Sequence, residues 1–166
     1  MTIPQAQDLI RDYAGNTWLI KRHTEQLTHE ESMLQPPFPA NCLNWVLGHI
    51  ISRRNSALEL LNHDPTWDHE TETLYRSGSP PLTDANAARP FPLLLQDLDE
   101  TQERIEAALG TVSEEHMGRV VETDRGARPV GEHLAGLHWH ETYHLGQLDI
   151  LRAMILAARN EQENVD

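Results

Sequence analysis

The sequence His140-Glu141-Thr142-Tyr143-His144-Leu145-Gly146-Gln147-Leu148 forms the middle of a helical pattern that covers residues 129–159. Two histidines four positions apart on a helix lie one turn from each other on the same face. Both imidazoles can therefore bind one metal ion. This stretch predicts half of a metal site, and a third ligand has to come from elsewhere in the chain.

A candidate for the third ligand lies in the segment Asn44-Trp45-Val46-Leu47-Gly48-His49-Ile50. Taken alone, His49 is best interpreted as a histidine whose hydrogen bonds are satisfied within the fold. Together with the later pair, it resembles the pattern of the DinB-like (DinB/YfiT-type) family of metal-binding four-helix bundles. The residues that carry this resemblance are Trp45, Leu47, Gly48, His49, His140, His144, Gly146 and Gln147. The resemblance covers almost the whole chain and implies that His49, His140 and His144 bind one divalent metal ion, with zinc or nickel expected.

The resemblance also implies a function. Characterised members of the family include transferases and isomerases that use a low-molecular-weight thiol as cosubstrate. Three protein ligands leave one metal position open, which is the pattern of catalytic sites, whereas structural zinc sites are closed by four protein ligands. We therefore expect a metal-dependent enzyme of the thiol-dependent S-transferase or isomerase type that acts on a small-molecule substrate. The alternative is a non-catalytic bundle that binds a metal or another ligand.

Residues 140–144 also spell His-Glu-x-x-His, the signature of metalloproteases in which the glutamate is the general base. The extended form of that signature needs glycine at position 147 and histidine at position 150, where this chain has Gln147 and Ile150. A metal-dependent hydrolase with Glu141 as base is the second alternative. Glu141 is otherwise a hydrogen-bonding partner of a ligand, a fourth ligand of the metal, or a solvated helix residue. Gln147 is either a hydrogen-bonding group near the metal or an amide that packs between helices.

Apolar residues recur at helical spacing in four segments, residues 5–32, 42–62, 92–109 and 129–159. Asn41 is the predicted N-cap of the second helix, and Gly110 is the predicted C′ residue of the third. The connection over residues 63–90 is too long for a bundle turn and is predicted to cover one mouth of the site. The connection over residues 111–128 is predicted to be irregular, with Val120 and Val121 extended. The pattern predicts one all-α domain, residues 1–166, folded as a four-helix bundle with long connections after helices two and three.

Composition restricts the partners and the compartment. The chain has 26 acidic and 13 basic residues, and its net charge of −13 repels nucleic-acid phosphates and anionic membrane surfaces. The single cysteine, Cys42, excludes an internal disulfide, and no apolar run approaches the ~18 residues of a transmembrane helix. We expect a cytoplasmic protein without nucleic-acid or membrane partners. A homodimer is expected from the resemblance and from the apolar residues Leu9, Trp18 and Leu95.

Other residues near the two motifs have predicted roles. Cys42 lies two helical turns before His49, roughly 10 Å along the axis, so we expect a small buried side chain rather than a ligand. His133 lies two turns before His140 and is predicted to line the access cleft. Gly48, Gly136 and Gly146 are predicted to permit close approach of a neighbouring helix. The remaining histidines are predicted to lie on the surface, namely His23, His29, His63, His69, His116 and His138.

Overall fold

The computed structural model of the protein describes residues 4–163. The helices and strands, in chain order, are α1 Ala6–Thr24, α2 His29–Ser32, α3 Leu43–Leu60, α4 His69–Tyr75, α5 Phe91–Thr111, α6 Glu114–Gly118, β1 Val120–Thr123, β2 Gly126–Pro129 and α7 Val130–Glu163. The four long helices α1, α3, α5 and α7 form the bundle, which confirms the predicted all-α class. Helix α7 packs against both α1 and α3, and α5 packs against the same two helices from the opposite side.

The first predicted helix is divided in two. Helix α1 ends at Thr24, and Gln26 has a positive φ of 60°, a conformation that no α-helix contains. A capping box then begins α2, in which the Thr28 side chain accepts from the Glu31 amide and the Glu31 carboxylate accepts from the Thr28 amide. Apolar periodicity continues across this break, which explains why the pattern predicted one helix over residues 5–32.

The ends of two other helices differ from the predictions. Helix α3 begins at Leu43 with Cys42 in the N-cap position, and no side chain caps it, so the prediction of Asn41 was wrong. Gly110 lies inside α5, which ends at Thr111 before an extended Val112, so the predicted C′ position was also wrong. An extended residue ends this helix without the left-handed conformation that favours glycine.

Both long connections contain short regular elements. Residues 63–90 include α4, which is capped by the Asp68 side chain, and residues 111–128 include α6, which is capped by Ser113. Strands β1 and β2 form an antiparallel hairpin in which Val120 pairs with Pro129, so the extended prediction for Val120 was correct. Elements of four to seven residues are too short to produce a recognisable hydrophobic period.

The core consists of two apolar clusters stacked along the bundle, with a polar layer between them. One cluster includes Leu47, Leu98 and Leu148, and the other includes Leu58 and Leu134. Each long helix contributes a polar side chain to the layer, in the order Thr17, Arg54, Gln102 and Glu141. Within residues 4–163, no helix is long and apolar enough to cross a membrane.

Candidate metal centre

Helices α3 and α7 bring the three predicted ligands together. One side-chain nitrogen each from His49, His140 and His144 lies within 4.8 Å of the other two. The Nε2 atoms of His140 and His144 are 3.3 Å apart. Two ligand nitrogens at roughly 2.0–2.1 Å from a tetrahedral zinc ion would have about this separation. The cluster can therefore hold a divalent metal ion.

The outer nitrogens of two of these rings are held by hydrogen bonds. His49 Nδ1 is 2.7 Å from the backbone carbonyl oxygen of Tyr75, and because a carbonyl only accepts, Nδ1 carries the proton. His144 Nδ1 is 2.6 Å from Gln147 Oε1, which accepts in the same way. In both rings the Nε2 lone pair is left for a metal, an arrangement that is usual for metal-binding histidines. Gln147 is thus a hydrogen-bonding group at the site, one of its two predicted roles.

Gly48 allows the contact that orients His49. A Cβ atom at Gly48 would lie 2.2 Å from Cδ1 of the Tyr75 ring, so only glycine fits beneath that ring. The Tyr75 hydroxyl donates to Asn44 Oδ1 at 2.9 Å and accepts from the Arg89 amide at 2.8 Å, which fixes the residue whose carbonyl binds His49. The predicted close approach occurs at Gly48, but the neighbour is an aromatic side chain at the end of α4 rather than a long helix. For Gly136 and Gly146 the prediction was wrong, because a Cβ atom would lie 3.6 Å from Arg125 Nη1 at the first and within 4 Å of no described neighbour at the second.

Trp45 gives the cluster a rigid wall. Its ring stacks on the imidazole of His49, with 4.9 Å between centroids and 6° between planes. The indole Nε1 donates to Ser79 Oγ at 2.9 Å, which satisfies the polar edge of the ring. The pattern of Trp45, Gly48 and His49 in the sequence is therefore a structural unit that places one imidazole.

The environment keeps all three imidazoles neutral at pH 7. Burial is the main cause that lowers the pKa of His49 to about 4 and that of His140 to about 4. Burial also lowers the pKa of His144. Neutral imidazole is the form that binds metals. The Nδ1 atom of His140 is buried without a hydrogen-bond partner in residues 4–163, so this ring, unlike those of His49 and His144, has no acceptor that fixes its tautomer.

The cluster opens onto a cavity of about 540 Å³. Besides the three histidines, its walls include Trp45, Tyr143 and Leu151. Ser77 and Gly78, which follow α4, line the same cavity, so the long connection over residues 63–90 does reach the mouth of the site. A cavity of this size can admit a small organic molecule beside the histidines.

Glu141 points away from this cavity. Its side chain is 1% exposed, and its two carboxylate oxygens accept from Arg54 Nε at 2.9 Å and Arg54 Nη2 at 2.7 Å. The interpretation of Glu141 as a solvated residue was wrong. The ion pair also engages both oxygens that a general base would need, so the hydrolase alternative loses its catalytic group. The short signature could not show this, because the partner of Glu141 lies on another helix.

Three other predictions have clear outcomes. Cys42 is buried, its thiol donates to the Leu82 carbonyl at 3.6 Å, and burial raises its pKa, as expected for a small core residue. His133 does not line the histidine cavity; it is buried under the hairpin with Nε2 3.2 Å from the Val121 carbonyl oxygen, so that prediction was wrong. Of the six histidines predicted on the surface, His63 and His69 are exposed, and the half-buried ones are His23, His29, His116 and His138.

Fold and site together define a four-helix bundle with a three-histidine cluster at one cavity. The profile of the DinB superfamily matches residues 19–148, and the chain belongs to that superfamily. A crystal structure described as the conserved protein of locus from Enterococcus faecalis is similar, with a TM-score of 0.73 and 18% identity over 94% of this chain and 99% of that one. At this identity the likeness supports the fold alone. The comparison with curated proteins gives no match.

Proposed function

We propose that the protein is a metal-dependent enzyme of the S-transferase or isomerase type, which activates a low-molecular-weight thiol for attack on an electrophilic substrate. The observation that carries the proposal is the open side of the histidine cluster. Among the described residues, no cysteine, aspartate or glutamate joins the three imidazoles, and the cluster faces a cavity. Three protein ligands with an accessible remaining position are the pattern of catalytic metal sites.

The donor set suits thiol activation. Three neutral imidazoles leave the charge of a divalent ion uncompensated, and such an ion would lower the pKa of a thiol in the cavity and so supply a thiolate nucleophile. In the reaction, the sulfur forms a bond to an electrophilic carbon with its electron pair, and the thiol proton passes to solvent. A leaving group on that carbon departs with the electrons of its bond.

The side chains around the cluster have separate tasks in this proposal. His49, His140 and His144 hold the ion, while the Tyr75 carbonyl and Gln147 keep two of the rings in their ligand tautomers. Cys42 is not the reacting thiol, because it is buried outside the cavity and burial raises its pKa. The reacting thiol therefore has to be a separate molecule.

Thiol binding by the cobalt-loaded protein tests the proposal. Addition of 6-mercaptohexanol is expected to produce a sulfur-to-metal charge-transfer absorption. His140→Ala is expected to lose both the metal and the absorption, whereas Cys42→Ala keeps both. If the wild-type protein binds the metal but shows no thiol absorption at millimolar 6-mercaptohexanol, the transferase proposal fails and the non-catalytic alternative is favoured. Full metal content in His144→Ala would refute the ligand assignment itself.

We also propose a homodimer in a reducing compartment such as the cytoplasm. Of the three apolar residues behind the dimer prediction, Leu9 is in the core, while Trp18 is 60% exposed and Leu95 is half-buried. On α7, Trp139 and Tyr143 are 68% and 58% exposed. Large aromatic side chains at the surface are typical of protein interfaces.

A further inference from the structure

A second cavity of about 330 Å³ lies between α3, α7 and the β1–β2 hairpin. Its charged and titratable lining residues are Arg53, Arg119, Arg125, Glu59, Asp124 and His133. Three arginines face two carboxylates, so these five side chains carry one excess positive charge. The chain as a whole has a net charge of −13, so the charge of this cavity is opposite in sign to that of the protein.

The arginines of this cavity have free donors. Within residues 4–163, none of the three forms an ion pair, although most other arginines of the chain do. Arg53 Nε is buried with no hydrogen-bond partner there. The Arg119 side chain donates to Asn62 Oδ1 at 3.4 Å, and the Arg125 side chain donates to the Gly136 carbonyl at 3.2 Å. A buried guanidinium donor without an acceptor is costly, and an anionic ligand would remove that cost.

The second cavity lies along the same two helices, α3 and α7, as the histidine cavity, and the two cavities share no lining residue. Arg53 lies one turn after His49 on α3, and His133 lies two turns before His140 on α7. The two cavities are therefore offset by about 5–10 Å along the same pair of helices. Burial is the main cause of the lowered pKa of the clustered histidines, and the charge of Arg53 is a further cause for each of them.

We propose that the arginine-lined cavity binds a carboxylate of the thiol cosubstrate, so that the cosubstrate is an acidic thiol that spans both cavities. The inference rests on the proposed function, because it assumes that the sulfur lies at the histidine cluster. A guanidinium fork matches the planar carboxylate with two parallel hydrogen bonds. The single excess charge suits a monoanion better than a phosphate dianion. An offset of about 5–10 Å corresponds to two or three extended residues between sulfur and carboxylate.

A matched pair of probes tests this assignment on the metal-loaded protein. The thiols 6-mercaptohexanoate and 6-mercaptohexanol have the same length and sulfur, and differ in the charge of the far end. Calorimetry is expected to show about tenfold tighter binding of the acid, the factor that one charge-assisted hydrogen bond contributes. In the Arg53→Gln/Arg125→Gln variant, we expect this preference to fall below about twofold while the affinity for the alcohol is unchanged. Arg11→Ala, which removes an exposed charge from α1, is the control and is expected to keep the preference.

Each outcome decides between the two proposals. Equal binding of acid and alcohol by the wild-type protein would overturn the carboxylate site and leave thiol activation intact. If neither thiol binds, the proposed function fails, and the Arg53 Nε–H resonance is followed by NMR during a titration with hexanoate, which has no thiol. A shift of that resonance supports the anion site, and an unchanged resonance refutes it. If Arg53→Gln does not fold, the exposed pair Arg119→Gln/Arg125→Gln replaces it.

Discussion

The change Glu141→Gln removes one charge from the polar layer between the two apolar clusters. Arg54 and Glu141 are 0% and 1% exposed, and they are joined by two hydrogen bonds of 2.9 and 2.7 Å. Arg54 also donates to Thr17 Oγ1 at 2.8 Å, but a neutral hydroxyl does not balance the guanidinium charge. Glutamine has nearly the same shape as glutamate, so the packing is preserved and the main effect of the change is an uncompensated charge on the buried Arg54.

Loss of one partner from a buried ion pair costs about 3–5 kcal/mol, a large part of the ~5–15 kcal/mol that stabilises a typical domain. For a chain of this size each kcal/mol lowers the melting temperature by about 2–4 °C, so a fall of about 6–20 °C is expected. Urea unfolding and thermal unfolding, both followed by circular dichroism, measure the loss. The metal content of the folded variant should be unchanged, because Glu141 is not among the clustered ligands.

Two controls separate the buried pair from a general effect of charge. Glu103→Gln removes an exposed carboxylate from α5 and is expected to change stability very little. The double change Arg54→Met/Glu141→Leu removes both charges and should recover much of the loss, because buried pairs contribute little net stability over apolar residues. A Glu141→Gln variant with wild-type stability and no bound metal would refute the structural role and restore Glu141 to the metal site.

Four further predictions concern the site and the assembly. Gly48→Ala places a Cβ atom in the space of the Tyr75 ring, so we expect metal binding to weaken about 10–100-fold, as measured by competition titration. The control is Gly146→Ala, whose added Cβ atom has no neighbour within 4 Å among the described residues and should leave metal binding unchanged. Chelation should lower the melting temperature by several degrees and leave the helical circular-dichroism signal intact; complete unfolding at room temperature would contradict this. In chelated protein, burial lowers the pKa of His49 to about 4, so the unfolded chain, with a histidine pKa near 6.5, takes up the proton first. The free energy of unfolding should therefore fall as the pH drops from about 6.5 towards 4, and less steeply in His49→Asn. Light scattering should show a dimer at micromolar concentration that Trp18→Glu weakens, and a monomeric wild-type protein would reject the dimer.

The four long helices could be predicted from the chain because their signals are local. Apolar spacing over three or more turns shows in the sequence, and the positions of α3, α5 and α7 agree with it to within a few residues. The pairing of His140 with His144 is equally local, since residues four apart on a helix must share a face. The short α4, α6 and hairpin were not predicted as elements, since they are too brief to carry a period and depend on caps and on packing.

The sequence by itself determined the helical pattern, the histidine pair and, through resemblance, His49 as the third member of the cluster. The tertiary structure alone decided how these residues are supported. Glu141 lies between two clustered histidines in sequence, yet its position round the helix directs it to Arg54 on α3 and away from the cavity. The Tyr75 carbonyl that orients His49 belongs to a segment without periodicity, and the Tyr75 ring packs against Gly48, where only glycine fits. The arginine-lined cavity likewise exists only where α3, α7 and the hairpin meet, because contacts between distant segments depend on how the helices pack and not on spacing along any one of them.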